Sequence, residues 1–189
     1  NEEKRKCYIE SIKDIEPEKL VYIDESGIDM SICKNRGWGK RSEKLLGKKS
    51  GKYYQRTNII AGYVNHKAIA PIIFNGSCNT ELIEAWVEQF LIKELKPGQI
   101  VIMDNASFHK GGKIEQIAKK HNCDIVYLPP YSPDLNPIEH LWDEVDRRLR
   151  KLQDHPTSKA DLWKKISFIW NNIEVDVCTK LIESMPERI

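Results

Sequence analysis

The chain has 189 residues, 40% of them hydrophobic and 31% charged, with a formal net charge of +2. That length fits one domain with its own core, and no apolar run approaches the ~18 residues of a membrane span, which excludes an integral helical membrane protein. Five cysteines at 7, 33, 78, 123 and 178 are odd in number and widely spaced, which excludes a zinc site built from C-x-x-C pairs and argues against a disulfide framework.

Reduced thiols point to an intracellular setting. Asn1-Glu2-Glu3-Lys4 is charged and is followed by no apolar stretch, so it is not a signal peptide. The chain also lacks an initiator Met, so neighbouring domains are expected outside it.

Leu20–Asp24 predicts a short strand that ends in an acid. Met30–Arg56 follows, with nine basic residues and one acid, Glu43: +8 in 27 residues against −6 for the remainder. The segment reads as a long loop or arm on an acidic body, with a short hairpin near Trp38. Asn58–Val64 and Ala68–Phe74 read as a hairpin joined by Asn65-His66-Lys67. Thr80 opens a helix to about Leu95, with Leu82, Ile83, Trp86, Val87, Phe90 and Leu91 at helical spacing. Lys96-Pro97-Gly98 stops it.

Ile100–Met103 is an apolar run ending at Asp104, the pattern of a buried parallel strand. A helix from about Gly112 to His121 and a strand over Asp124–Leu128 follow. The segment from Pro129 to Pro137 holds four prolines among polar turn-formers and is stiff. It delivers a helix from Pro137 to about Lys151. Two more helices are expected over about 157–185, near Ser158–Ile173 and Val175–Ser184. Antiparallel strands come first and helix-linked strands follow, which predicts an α/β fold: a mixed sheet with helices on both faces.

Asp24 and Asp104 each end a predicted strand, where ligand sites of open α/β sheets gather. Glu139 enters from the first turn of the helix after the proline loop. Three carboxylates this close repel one another, and the usual solution is a hard divalent cation such as Mg²⁺. Two ions about 3.5–4 Å apart suit in-line phosphodiester chemistry. Plainer readings exist for each acid. Asp24 and Glu25 could face water, Asp104-Asn105 could be a turn, and Asn136, Pro137 and Glu139 form a capping box.

Two long stretches decide between these readings. Ile102–His109 (IMDNASFH) and Leu128–Trp142 (LPPYSPDLNPIEHLW) strongly resemble the catalytic core of mariner-like transposases and their bacterial insertion-sequence relatives. Tyr22–Gly27 (YIDESG) is similar to the segment holding that family's first acid. Thirty-four residues separate Asp104 from Glu139, a spacing this group favours, and the likeness runs from about Val21 to Arg150.

The resemblance implies a single RNase H-like DDE catalytic domain over 1–189, with Asp24, Asp104 and Glu139 as metal-binding catalytic acids. It implies two Mg²⁺ or Mn²⁺ ions, hydrolysis at DNA ends and 3′-OH strand transfer. A domesticated binding module, or a nuclease without strand transfer, is the alternative. The N-terminal DNA-recognition region of such enzymes is expected outside this chain. Implied partners are terminal inverted repeats, target DNA and a second subunit, in a bacterial cytoplasm at the nucleoid.

Asp143 lies one turn beyond Glu139 on the same helix face, with Asp146 three residues further. Either could support the site from behind Glu139, while the plainer reading is surface charges paired with Arg147 and Arg150. Asn105 and His109 fall in the matching motif without being read as catalytic; His109 could orient a substrate phosphate or water, though a His near a helix start is more often structural. The arm resembles a clamp loop of mariner-like enzymes. Lys40, Arg41, Lys44, Lys48, Lys49, Lys52 and Arg56 are its candidate DNA-phosphate contacts, with Trp38, Tyr53 and Tyr54 interleaved.

Overall fold

The computed structural model describes residues 2–28, 40, 57–106, 112–152, 154 and 156–172. Helix α1 (Glu2–Ile12) and a 3₁₀ turn (Pro17–Lys19) lead into β1 (Leu20–Ile28). Strands β2 (Thr57–Val64) and β3 (Lys67–Asn75) follow. Helix α2 (Thr80–Trp86) passes through a π-helical turn (Val87–Leu91) into α3 (Ile92–Glu94). Then come β4 (Ile100–Met103), α4 (Lys113–Lys120), β5 (Asp124–Tyr127), a 3₁₀ turn (Pro133–Leu135), α5 (Pro137–Lys151) and α6 (Lys159–Asn171). The expected helix over Val175–Ser184 and the hairpin near Trp38 lie outside the described residues.

The five strands form one sheet in the order β3-β2-β1-β4-β5. β1, β2 and β3 pair antiparallel, while β1, β4 and β5 pair parallel, so the sheet is mixed as the sequence predicts. The β2–β3 connection is tighter than expected. Asn65 and His66 form a two-residue loop with φ of 43° and 64°, and Lys67 already pairs with Val64. Two positive φ values in a row match the twist that a hairpin demands.

Strand alternation sorts the core into two sides. Val21, Ile23, Val101 and Met103 face α2, the π turn and α4, meeting Ile83, Trp86, Leu91 and Ile114. Ile59, Ala61 and Tyr63 face the other way, against Ile138, Leu141 and Val145 of α5 and Leu162 and Ile166 of α6. Further along that second side, Leu20, Ile102, Leu128 and Leu135 enclose Tyr8 of α1. Helices therefore cover both faces. No helix among the described residues is long and apolar enough to cross a membrane.

Two features depart from the sequence reading. Helix α1 was not anticipated: Tyr8 is its one buried side chain, so its apolar stripe is thin. It is held by Tyr8, Ile9 and Ile12 packing on β1 and the proline loop, and by Arg5, which donates to both carboxylate oxygens of Asp134 at 3.0 and 2.5 Å. The second departure is the π turn in what reads as one continuous helix.

Beside that turn, the β2–β3 register shifts between Ile60 and Gly62, and Ala70 takes φ 47°. The backbone groups of Ala70 find partners from the helices. Its N–H donates to Glu94 at 2.9 Å, and its carbonyl accepts from the Trp86 indole at 2.7 Å.

Candidate active site

Parallel pairing of β1 with β4 keeps one register: Leu20 with Ile100, Val21 with Val101, Tyr22 with Ile102. Carried two residues further, it sets Asp24 beside Asp104 on strands about 4.8 Å apart. Both acids share the parity of Tyr22 and Ile102, so both belong to the face that α5 covers. Asp104 is the first residue past the tip of β4, as expected. Asp24 is not a strand end: β1 continues to Ile28, with Asp24 opposite Ala61 of β2. What opens a site at Asp24 is the termination of its parallel neighbour.

Glu139 arrives from the same side. The chain leaves β5, turns through Pro129–Pro133 and starts α5 with Pro137 in its first turn. Pro137 lacks the N–H that a first turn leaves unbonded anyway. The Glu139 N–H reaches the Asn136 carbonyl at 3.2 Å. The capping box does not form, because the Asn136 side chain makes no cap hydrogen bond. Its amide N–H instead points across to the Ile23 carbonyl at 3.4 Å.

One cavity of about 440 Å³ is lined by Asp24, Asp104 and Glu139, together with Asn105, Asn136 and the proline loop. At its lip Tyr131 is 95% exposed and adopts φ 58°, a left-handed backbone that a bulky residue rarely takes without tertiary support.

The acids sense each other. The Asp24 carboxyl is pushed up to about 8, first by burial, then by the charges of Glu139, Glu25 and Asp104. Glu139 is raised by burial and by Asp143 and Asp104. Asp104 accepts the Ala106 N–H at 3.1 Å, which tethers its carboxylate to its own loop. Glu25 has the opposite parity and meets Cys78 across the other face, 3.4 Å from its sulfur. Burial and that carboxylate push the Cys78 thiol up to about 12, which favours the thiol over the thiolate at neutral pH.

The donor set fits a hard divalent cation. It is all oxygen, and one Asp24 oxygen is buried without a hydrogen-bond partner. Among the described residues, however, no three His, Cys, Asp or Glu groups stand close enough to hold one metal ion in this arrangement.

The neighbouring charges differ in part from expectation. Asp146 pairs with Arg150 at 2.5 Å, but Arg147 binds Glu144 rather than Asp143. Asp143 therefore acts on Glu139. Of the candidate DNA contacts, Lys40 is exposed. Arg41, Lys44, Lys48, Lys49, Lys52 and Arg56 lie outside the described residues, as does His109. The role of Asn136 escaped the sequence reading, since its partner is 113 residues away.

A family model described as DDE superfamily endonuclease matches residues 19–161. Among curated relatives, the Tc1 transposase of Caenorhabditis elegans is 32% identical over 184 residues, covering 90% of this chain and 65% of that protein. The Tcb1 transposase of Caenorhabditis briggsae is 33% identical over 85 residues, covering 45% of this chain and 30% of that one.

Among solved structures, the Mos1 transposase paired-end complex with left transposon end superposes with TM-score 0.78 at 14% identity. That match covers 98% of this chain and 58% of the other. The crystal structure of the catalytic domain of Mos1 mariner transposase gives 0.66 at 16% identity, covering 98% and 86%. These likenesses establish an RNase H-like fold. The chain thus spans about two thirds or less of the curated relatives it matches.

Proposed function

The chain belongs to the DDE superfamily endonuclease family, and on that premise we propose that it is the catalytic domain of a Tc1/mariner-like cut-and-paste DNA transposase. The observation that carries this reading is the convergence of Asp24, Asp104 and Glu139, from two strands and a helix, on one cavity at the parallel edge of the sheet. In support, Mos1 structures with the same fold include a strand transfer complex and paired-end complexes with Mn and with Mg.

In the proposed reaction, water attacks the phosphorus at an element end, and the 3′-oxygen leaves as a free 3′-OH. That 3′-OH then attacks a phosphodiester of target DNA and displaces its 3′-oxygen. Mg²⁺ or Mn²⁺, two ions per site, supplies Lewis acidity to the attacking and leaving oxygens when bound. Asp24 from β1, Asp104 from the end of β4 and Glu139 from α5 would hold the ions. Asp24, held protonated first by burial and then by its carboxylate neighbours, would have to be ionised to hold such a cation. The stiff proline loop walls the cavity and limits how the DNA backbone enters.

The partners follow from the same reading: terminal-repeat DNA, target DNA and a second copy in the active complex. Lys40, Arg41, Lys44, Lys48, Lys49, Lys52 and Arg56 would neutralise phosphates, with the steep salt dependence that such contacts bring. All 189 residues serve as one catalytic unit, working on the nucleoid in a bacterial host.

The test is Mn²⁺-dependent nicking of supercoiled plasmid by the parent chain beside Asp104→Asn and Glu139→Gln. Both variants should stay folded by circular dichroism and lose at least about 100-fold in rate, the scale of losing electrostatic stabilisation in a transition state. Nicking that persists in either variant refutes the assignment of that acid. Nicking without joining to target DNA would point to a nuclease instead.

A further inference from the structure

We infer that Asn136 is a positioning residue of the cation site: its amide N–H ties α5 to β1, and its amide oxygen accepts from water carried by the cation. This rests on the metal-dependent reading above and extends it to a residue outside the three acids.

Asn136 is a buried polar side chain, 2% exposed, on the wall of the same cavity as Asp24, Asp104 and Glu139. Its two amide ends have different fates. The nitrogen donates to the carbonyl of Ile23, the residue before Asp24, at 3.4 Å. The oxygen is buried and has no hydrogen-bond partner in the protein. An ordinary helix cap would spend that oxygen on the backbone N–H groups of α5, and here it makes no such bond.

The tether joins two places that matter. Ile23 precedes Asp24 directly, and Asn136 precedes Glu139 by three residues, one turn of helix. A single side chain thus sets the spacing between the strand that carries the first acid and the helix that carries the third. An amide meets both demands, with its donor and its acceptor on separate atoms. A carboxylate could accept but would repel the Ile23 carbonyl, and an aliphatic side chain could do neither.

The free oxygen then needs a donor. The cavity wall is rich in acceptors: one Asp24 oxygen is also buried without a partner, while Asp104 already holds the Ala106 N–H. A phosphate brings only more acceptors. A hydrated divalent cation brings both opposite charge for the carboxylates and O–H donors for a neutral amide oxygen. Outer partners of this kind fix the geometry of the inner ligands.

The experiment is calorimetric titration of Mn²⁺ into the 189-residue chain and four variants, each first checked for a cooperative melt. Asp104→Asn should abolish binding. Asn136→Leu and Asn136→Ala lack both functions and should weaken Mn²⁺ binding roughly 10- to 100-fold; the alanine variant reads the effect if leucine does not fold. Asn136→Asp keeps an acceptor but loses the donor to Ile23, and should bind Mn²⁺ more tightly than Asn136→Leu because the acceptor is retained.

If the leucine and alanine variants bind as the parent does while Asp104→Asn does not, Asn136 has no part in the cation site and the three-acid reading stands. If Asn136→Asp is as weak as Asn136→Leu, the amide oxygen is not an acceptor for the cation's water. If the parent and Asp104→Asn bind alike, or neither binds, the metal reading falls and takes this inference with it.

Discussion

Replacing Asp24 with Asn should stabilise the metal-free chain at neutral pH, although it removes a proposed catalytic group. The Asp24 carboxyl rises from the ordinary 3.8 to about 8. Between those values the folded chain keeps a proton that the unfolded chain has released. Stability therefore falls as pH climbs from about 4 to about 8, because the folded state binds more protons over that window. Each unit corresponds to about 1.4 kcal/mol, so the span from 3.8 to pH 7 sets an upper limit near ~4 kcal/mol.

Asn keeps the shape and has no charge to lose. In EDTA, urea melts of parent and Asp24→Asn should coincide near pH 4 and separate by ~2–4 kcal/mol at pH 7. In heat that is a rise of about 4–16 °C in Tm for a domain of this size. Saturating Mg²⁺ should narrow the gap by stabilising the parent alone. An Asp24→Asn chain no more stable than the parent at pH 7, or a gap independent of pH, would refute the claim that burial and the neighbouring carboxylates hold Asp24 protonated.

Two further outcomes follow from packing around the site. Arg5→Ala removes both bonds to Asp134 on the proline loop; the pair is part-exposed, at 21% and 38%, so the cost should be ~0.5–1 kcal/mol in urea melts. A loss above ~3 kcal/mol would show that α1 depends on more than that pair. Gly62→Ala places a Cβ 2.7 Å from Ile69 Cγ1 and 3.3 Å from Leu91 Cδ1. It should cost ~1–3 kcal/mol by overpacking. Ile69→Ala in the same chain should recover part of that loss, and strictly additive effects would exclude the clash.

The sequence made some of this legible and withheld the rest for identifiable reasons. Val21–Ile23 and Ile100–Met103 announce strands because β-rich apolar runs stand directly before acids. The helix bearing Glu139 announces itself through Pro137 and a regular apolar face. That Asp24 meets Asp104 depends on a parallel register between segments 80 residues apart, which no local pattern encodes; the family motifs supplied it by resemblance.

The failures are of the same kind. Asn136 has the local signature of a cap, yet a carbonyl on β1 claims its amide. Arg147 could serve Asp143 or Glu144 by spacing alone, and geometry chose Glu144. The π turn at Val87–Leu91 hides in a periodicity that fits a plain helix, and α1 hides because one buried tyrosine makes a faint stripe.

The pairing of Ile28 with Thr57 closes β1 on β2, so the 28 residues between them leave and re-enter the sheet at adjoining points. Whatever occupies that interval is grafted onto a seam already stitched shut. Trading it for a four-residue turn would alter closure entropy by only ~1.7 kcal/mol, since each doubling of length costs about 0.6. An insertion at this point can therefore be lengthened, recharged or swapped while Asp24 and Asp104 next door stay in register.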